Sequence, residues 1–90
     1  METSQAKMGD SFEQFIQSNK FDNKGRAIGY VVGLRDNGTD FYAWVQNARA
    51  DASGGWVDFG VRQRSRKFNS ADKARKWAYR AAKDRIAKLA

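Results

Sequence analysis

The chain has 90 residues, a formal net charge of +7, 41% apolar and 30% charged residues, so it makes one domain with a modest core. It has no cysteine and no histidine, which excludes disulfides, thiolate nucleophiles, zinc sites of the usual ligand sets and imidazole acid–base catalysis. No apolar run approaches the roughly 20 residues of a membrane span, and the start Met1-Glu2-Thr3-Ser4-Gln5 lacks the charged-then-apolar layout of a secretory signal, so the expectation is a soluble cytoplasmic protein.

Residues 1–9 are polar and aperiodic and predict a flexible N-terminal arm ahead of a single domain over 10–90. Asp10 or Ser11 then caps a short helix in which Phe12, Phe15 and Ile16 fall at i, i+3 and i+4. The turn-forming run Phe21-Asp22-Asn23-Lys24-Gly25 ends it. From Arg26 the period becomes two: Ile28, Tyr30, Val32 and Leu34 alternate with Gly29, Val31 and Gly33 up to Asn37-Gly38, a hairpin signal because both turn residues must tolerate positive φ. A two-residue turn there pairs Leu34 with Phe41, Val32 with Ala43 and Tyr30 with Val45 on an apolar face. On the other face it pairs Gly33 with Tyr42, Val31 with Trp44 and Gly29 with Gln46.

After the loop Ala50-Asp51-Ala52-Ser53-Gly54-Gly55, a third strand places Val57, Phe59 and Val61 on the core face. Asn69 or Ser70 caps a long helix from about Ala71 to Leu89, whose stripe of Ala71, Ala74, Ala78, Ala81, Ala82, Ile86 and Leu89 is flanked by Trp77 and Tyr79. The expected fold is α+β, a three-stranded antiparallel sheet with a short N-terminal and a long C-terminal helix packed on one face, in the order α-β-β-β-α.

The location of the charge says more than its sum. Residues 1–60 carry six Lys/Arg against eight Asp/Glu, whereas residues 61–90 carry eleven Lys/Arg against Asp72 and Asp84 alone. Such an electrically distinct end is the footprint of a phosphate-binding surface, and equally of a surface for an acidic protein partner. Three groups of residues could carry it. On the C-terminal helix, Lys73, Lys76, Arg80 and Lys83 form a ridge about three turns long, on a helix without any Glu. Beyond the third strand, Arg62, Arg64 and Arg66 alternate with Gln63 and Ser65, ahead of Lys67, which sends the three arginines to the open sheet face. On that face Tyr42, Trp44, Gln46 and Trp56 stand beside the arginines, as in proteins that stack unpaired bases. The bland alternatives are a solvated helix, an edge strand kept soluble by charge, and rings that fill the space over Gly29 and Gly33 or are covered by the N-terminal arm or by a second copy in a homodimer.

Catalysis has little basis. Asp58 is the one carboxylate inside a predicted strand, Asp36, Asp40 and Asp51 lie at strand ends or in loops, and no phosphate loop or nucleophile motif is present. The expectation is a non-enzymatic protein without cofactor that binds nucleic acid, single strands before duplexes, through Arg62, Arg64, Arg66, Lys67, Lys73, Lys76, Arg80 and Lys83 for phosphates and Tyr42, Trp44 and Trp56 for stacking. The alternative is an interaction or inhibitor module docking an acidic partner through the same surface.

The segment from Phe68 to Ala82, with Ser70, Ala74, Arg75, Ala78, Ala81 and Ala82, resembles the final helix of double-stranded-RNA-binding domains, a family with α-β-β-β-α order. Where that family has paired lysines after the serine this chain has Ala71 and Asp72, and it has no His for the family's His-containing loop. The resemblance implies recognition of duplex RNA by shape. Pur-type and other open-sheet single-strand binders are similar in their aromatic strand face, with four strands per unit where this sequence predicts three.

Overall fold

In the computed structural model, which describes residues 10–89, the described chain forms four strands, β1 (Asp10–Phe21), β2 (Ala27–Asp36), β3 (Phe41–Ala50) and β4 (Trp56–Arg64), and one helix, α1 (Ala71–Ala87). The strands make one antiparallel sheet in the order β1-β2-β3-β4. The expected arm over residues 1–9 lies outside the described residues.

The predicted N-terminal helix is instead β1, so the α-β-β-β-α order and the three-stranded sheet are replaced by β-β-β-β-α. The physical reason is the doublet Phe15-Ile16. Phe15, opposite Val31, packs on the face away from α1, while Ile16, opposite Tyr30, packs against the helix-side core. Adjacent apolar residues that serve two faces of a sheet imitate the i, i+3, i+4 spacing of a helix that buries one face. Irregularities also break the alternation, between Asp10 and Phe12 and between Gln17 and Phe21. In the second, the buried Ser18 donates from Oγ to the Ile28 carbonyl at 2.5 Å and accepts from Lys20 N at 3.1 Å, satisfying backbone groups that regular pairing leaves open.

The run Tyr-Val-Val-Gly-Leu at 30–34 is buried throughout because β2 is covered on both faces. Tyr30, Val32 and Leu34 meet Ala43 and Val45 under α1, and Val31 meets Trp44 and Ala48 on the other side. Burying each of the valine and leucine side chains among them contributes about 1.5–3 kcal/mol, which makes the β2–β3 pair the centre of the fold.

The β2–β3 pairing is shifted by two residues from the predicted one: Asp36 pairs with Phe41, Leu34 with Ala43, Val32 with Val45 and Tyr30 with Asn47. The turn takes in Asn37 to Asp40, with Asn37 N donating to the Asp40 carbonyl at 3.0 Å, Asn37 Nδ2 to Asp40 Oδ1 at 3.1 Å and Gly38 at φ 94°. A shift of two keeps every side chain on its predicted face but changes its neighbour. Trp44, not Tyr42, now stands opposite Gly33.

An aspartate ties each hairpin. Asp22 Oδ1 accepts from Lys24 N and Arg26 N, both at 2.9 Å, Asp36 Oδ1 from Gly38 N at 2.8 Å, and Asp51 Oδ1 from Ser53 N at 2.9 Å and Gly55 N at 3.1 Å. Asp side chains that bond amides two or more residues on are a turn-forming device. These amide and hydroxyl donors hold the Asp22 and Asp51 carboxyls below the usual carboxylate range. For Asp22 the Arg26 N–H contributes most, and for Asp51 the Ser53 hydroxyl and then its N–H.

Ser70 caps α1, its Oγ accepting from Lys73 N at 3.4 Å. Ala74, Ala78 and Ala82 are fully buried against β2 and β3, and their small side chains let the helix lie close to the sheet. α1 does not extend over β4. Val57 and Phe59, predicted as core, are 41% and 42% exposed, and Val61 is 88% exposed. The cause is the position of the helix over the two central strands together with an irregularity in β4: Gln63 pairs with Val45 and Phe59 with Asn47, so β4 carries two extra residues there, and Gly60 takes φ 77°. No helix among the described residues is long and apolar enough to cross a membrane.

Candidate nucleic-acid interface

The face of the sheet away from α1 is filled from its own strands. Phe15 from β1 and Trp56 from β4 stack at 5.9 Å between centroids and 16° between planes, spanning the full width of the sheet. Two side chains from opposite edges can meet because the strands between them carry Gly29 and Ala48 at adjoining positions. Trp44 lies over Gly33, fully buried. Its Nε1–H is buried without an acceptor, which costs roughly 1–3 kcal/mol. The open aromatic platform expected from sequence is therefore a second small core of Val31, Trp44 and Ala48, edged by Phe15, Tyr42 and Trp56, with the glycines acting as seats for rings.

Arginines complete its surface. Arg62 sits with its guanidinium carbon 3.5 Å from the centroid of the Trp44 ring, a face contact, and Arg64 sits 5.4 Å from that of Tyr42. Arg62 reaches Trp44 from the irregular part of β4, where Gln46 Nε2 donates to the Gly60 carbonyl at 2.9 Å and holds the turn of the strand. Gln63, between the two arginines, points to the helix side and accepts from Arg85 Nη2.

Arg66 does not continue this row. Ser65 N donates to the Ala43 carbonyl at 2.8 Å, and Phe68 and Phe41 exchange backbone hydrogen bonds at 2.6 and 2.8 Å, so Arg66 and Lys67 together stand opposite Tyr42 alone. That extra residue breaks the alternation, and Phe68 joins the helix-side core. Arg66 lies 4.4 Å from the Phe68 ring centroid and lines a shallow groove of about 330 Å³ with Lys73, Lys76, Trp77 and Arg80. A second groove, of about 340 Å³, continues along α1 between Lys76, Tyr79, Arg80, Lys83 and Asp84.

The eleven residues singled out in the sequence thus divide. Tyr42, Trp44, Arg62 and Arg64 gather on the open face, with Trp56 at one end beside Phe15. Arg66, Lys73, Lys76, Arg80 and Lys83 gather along α1. Lys67 is exposed between the groups. Three aromatic participants were missed: Phe15, read as part of a helix stripe, and Phe68 and Trp77. The signal for Trp77 was its spacing, since Lys73, Trp77 and Arg80 follow i, i+4, i+7 on one side of α1.

The ridge keeps most of its charge free for a ligand. Lys73, Lys76, Arg80 and Lys83 are exposed, and Lys76 Nζ makes a 3.4 Å contact with Asp72 that is open to solvent and worth little. The acidic side chains at hairpin ends hold backbone amides, and no three His, Cys, Asp or Glu side chains among the described residues are grouped to hold a metal ion. No family model, curated protein or solved structure matches this chain.

Proposed function

We propose that the protein is a non-enzymatic binding module for single-stranded nucleic acid. The observation that carries this reading is the layering of Gly33, Trp44 and Arg62 on the open face, where a glycine seats an indole and the indole carries a guanidinium 3.5 Å from its centroid. A guanidinium centred over a ring keeps its outer side and its N–H donors for a ligand. Unpaired bases stack on guanidinium planes, and phosphates accept from such donors. Arg62 therefore takes the stacking role that the sequence assigned to Trp44, and Trp44 supports it from beneath. Arg64, two residues along the strand, adds a looser contact of the same kind, 5.4 Å from the Tyr42 centroid and without a glycine seat beneath the ring.

Duplexes hide their base faces in their own stack and can use only the phosphate part of this surface, which gives the preference for single strands. The four-stranded sheet with one C-terminal helix also supplies the strand whose absence weakened the similarity to Pur-type open-sheet units, whereas the order behind the duplex-RNA-binding resemblance is gone. Titration of labelled 20-nucleotide single strands of DNA and RNA, and of the matching duplexes, at low salt tests the reading. Single strands are expected to bind at least tenfold more tightly than duplexes, and failure of all four to bind overturns it.

A further inference from the structure

We infer that one single strand does not stop at the open face but wraps around the β4 edge and continues along α1, so that the protein binds a bent strand on two faces. The inference rests on the single-strand reading and adds a path to it. On a flat reading of the sequence, the α1 ridge lies behind the sheet and no strand reaches both sets of cations.

The irregularity at Arg66-Lys67 changes this. Arg62 and Arg64 are on the open face, while Arg66, two residues further, is turned to the helix side over Phe68 and shares a groove with Lys73, Lys76, Trp77 and Arg80. Lys76 and Arg80 also line the next groove, which leads to Lys83. Each part therefore shares residues with the next, or adjoins it by two residues of chain, and α1 carries carboxylates only at Asp72, in a solvent-open 3.4 Å contact with Lys76 Nζ, and at Asp84.

Aromatic rings accompany the cations along the whole path: Trp44 under Arg62, Tyr42 under Arg64, Phe68 under Arg66, and Trp77 between Lys73 and Arg80. A surface meant only for solubility needs charge and no rings, and one meant for an acidic protein segment needs no ring behind each arginine. Guanidinium groups backed by rings, followed by the half-buried Trp77 among the α1 cations, offer stacking surface and phosphate donors to a ligand that itself alternates phosphates and bases. Arg62 to Arg66 covers about 13 Å of strand and Lys73 to Lys83 about 15 Å of helix. Adding the turn around the edge gives roughly 40 Å, or on the order of six to eight nucleotides.

Oligothymidylates of 4, 8 and 12 nucleotides titrated into the full chain, with stoichiometry measured, test the path, using the wild type and the variant K76Q/R80Q. Both substituted positions are exposed on α1, and unchanged helix content by circular dichroism shows that the variant is folded. Wrapping predicts one strand per protein, a steep rise in affinity between 4 and 8 nucleotides, little gain beyond, and a variant in which the 8-mer to 4-mer affinity ratio falls about tenfold. An affinity that levels off at 4 nucleotides, or a variant that weakens all lengths by one factor, overturns the path but leaves single-strand binding standing. Two 4-mers per protein with no gain for the 8-mer also overturns it, in favour of two separate tracks. Absence of binding at every length overturns the single-strand reading itself, and the path with it.

Discussion

Gly33 on β2 and Trp44 on β3 face each other in the sheet, and the indole lies so low over the glycine that a Cβ there would overlap the ring carbons Cε2 and Cζ2. Neither backbone gives way easily, because both residues sit in the buried centre of the sheet. Gly33→Ala should therefore tilt Trp44 off its seat and destabilise the protein by about 1–3 kcal/mol, as overpacking does in cores. Urea unfolding followed by circular dichroism measures the loss, and unchanged stability would show that the contact is loose.

Arg62 separates charge from shape. Lys keeps the positive charge but has no planar face to lie on the Trp44 ring or to receive a base. Arg62→Lys should weaken single-strand binding about tenfold, ~1.4 kcal/mol, while leaving the dependence on salt unchanged. In the free protein, Arg62→Ala should uncover the indole, so acrylamide quenching of Trp emission should rise. Equal binding by the Lys variant would reduce Arg62 to a phosphate contact.

The hairpin aspartates set an acid limit. The Asp22 and Asp51 carboxyls are held below their ordinary value of 3.8, so their folded forms favour the charged state. Their contribution is complete above the unfolded value and is lost as pH falls through the lower folded values. Stability should thus decline as pH is lowered below about 4, and Asp22→Asn should flatten part of that decline because an amide oxygen still accepts from Lys24 N and Arg26 N but does not titrate. Melting temperatures between pH 2 and pH 6 for both proteins check this, and superimposable profiles would contradict it.

Ala78 is fully buried where α1 lies on the sheet. Ala78→Leu should push the helix from β2 and β3 and cost about 1–3 kcal/mol. The same change at Ala87, exposed at the end of α1, should move stability by less than about 0.5 kcal/mol. Thermal unfolding of the two variants gives the comparison.

Much of this arrangement was legible in the residues. The β2–β3 hairpin, the strand at 56–64, the Ser70 cap and the alanine stripe of α1 follow from period and turn chemistry, and they are present. What escaped was set by contacts remote in sequence. Phe15 and Ile16 read as a helix because their separate partners, Trp56 and the α1-side core, lie on opposite sides of a sheet that a local window does not contain. The Asp36–Asp40 turn hides its length, since a shift of two residues preserves the apolar pattern and alters only which ring meets which glycine. The irregularities at Gly60 and at Arg66-Lys67 have no local signature beyond the glycine, yet they decide that Arg62 lies on Trp44 while Arg66 turns to α1.

The most direct measurement is the affinity for a single-stranded 20-mer as a function of salt. Counterion release gives a slope of about −0.7 per phosphate contact in a plot of log K against log salt, so the seven cations at positions 62, 64, 66, 73, 76, 80 and 83 predict a slope near −5, and Arg62 and Arg64 alone near −1.4. A slope between about −3 and −5, with tighter binding than to the matching duplex, is the result predicted for a strand held by both surfaces. A slope near zero, or no binding at low salt, would contradict nucleic-acid binding by this protein.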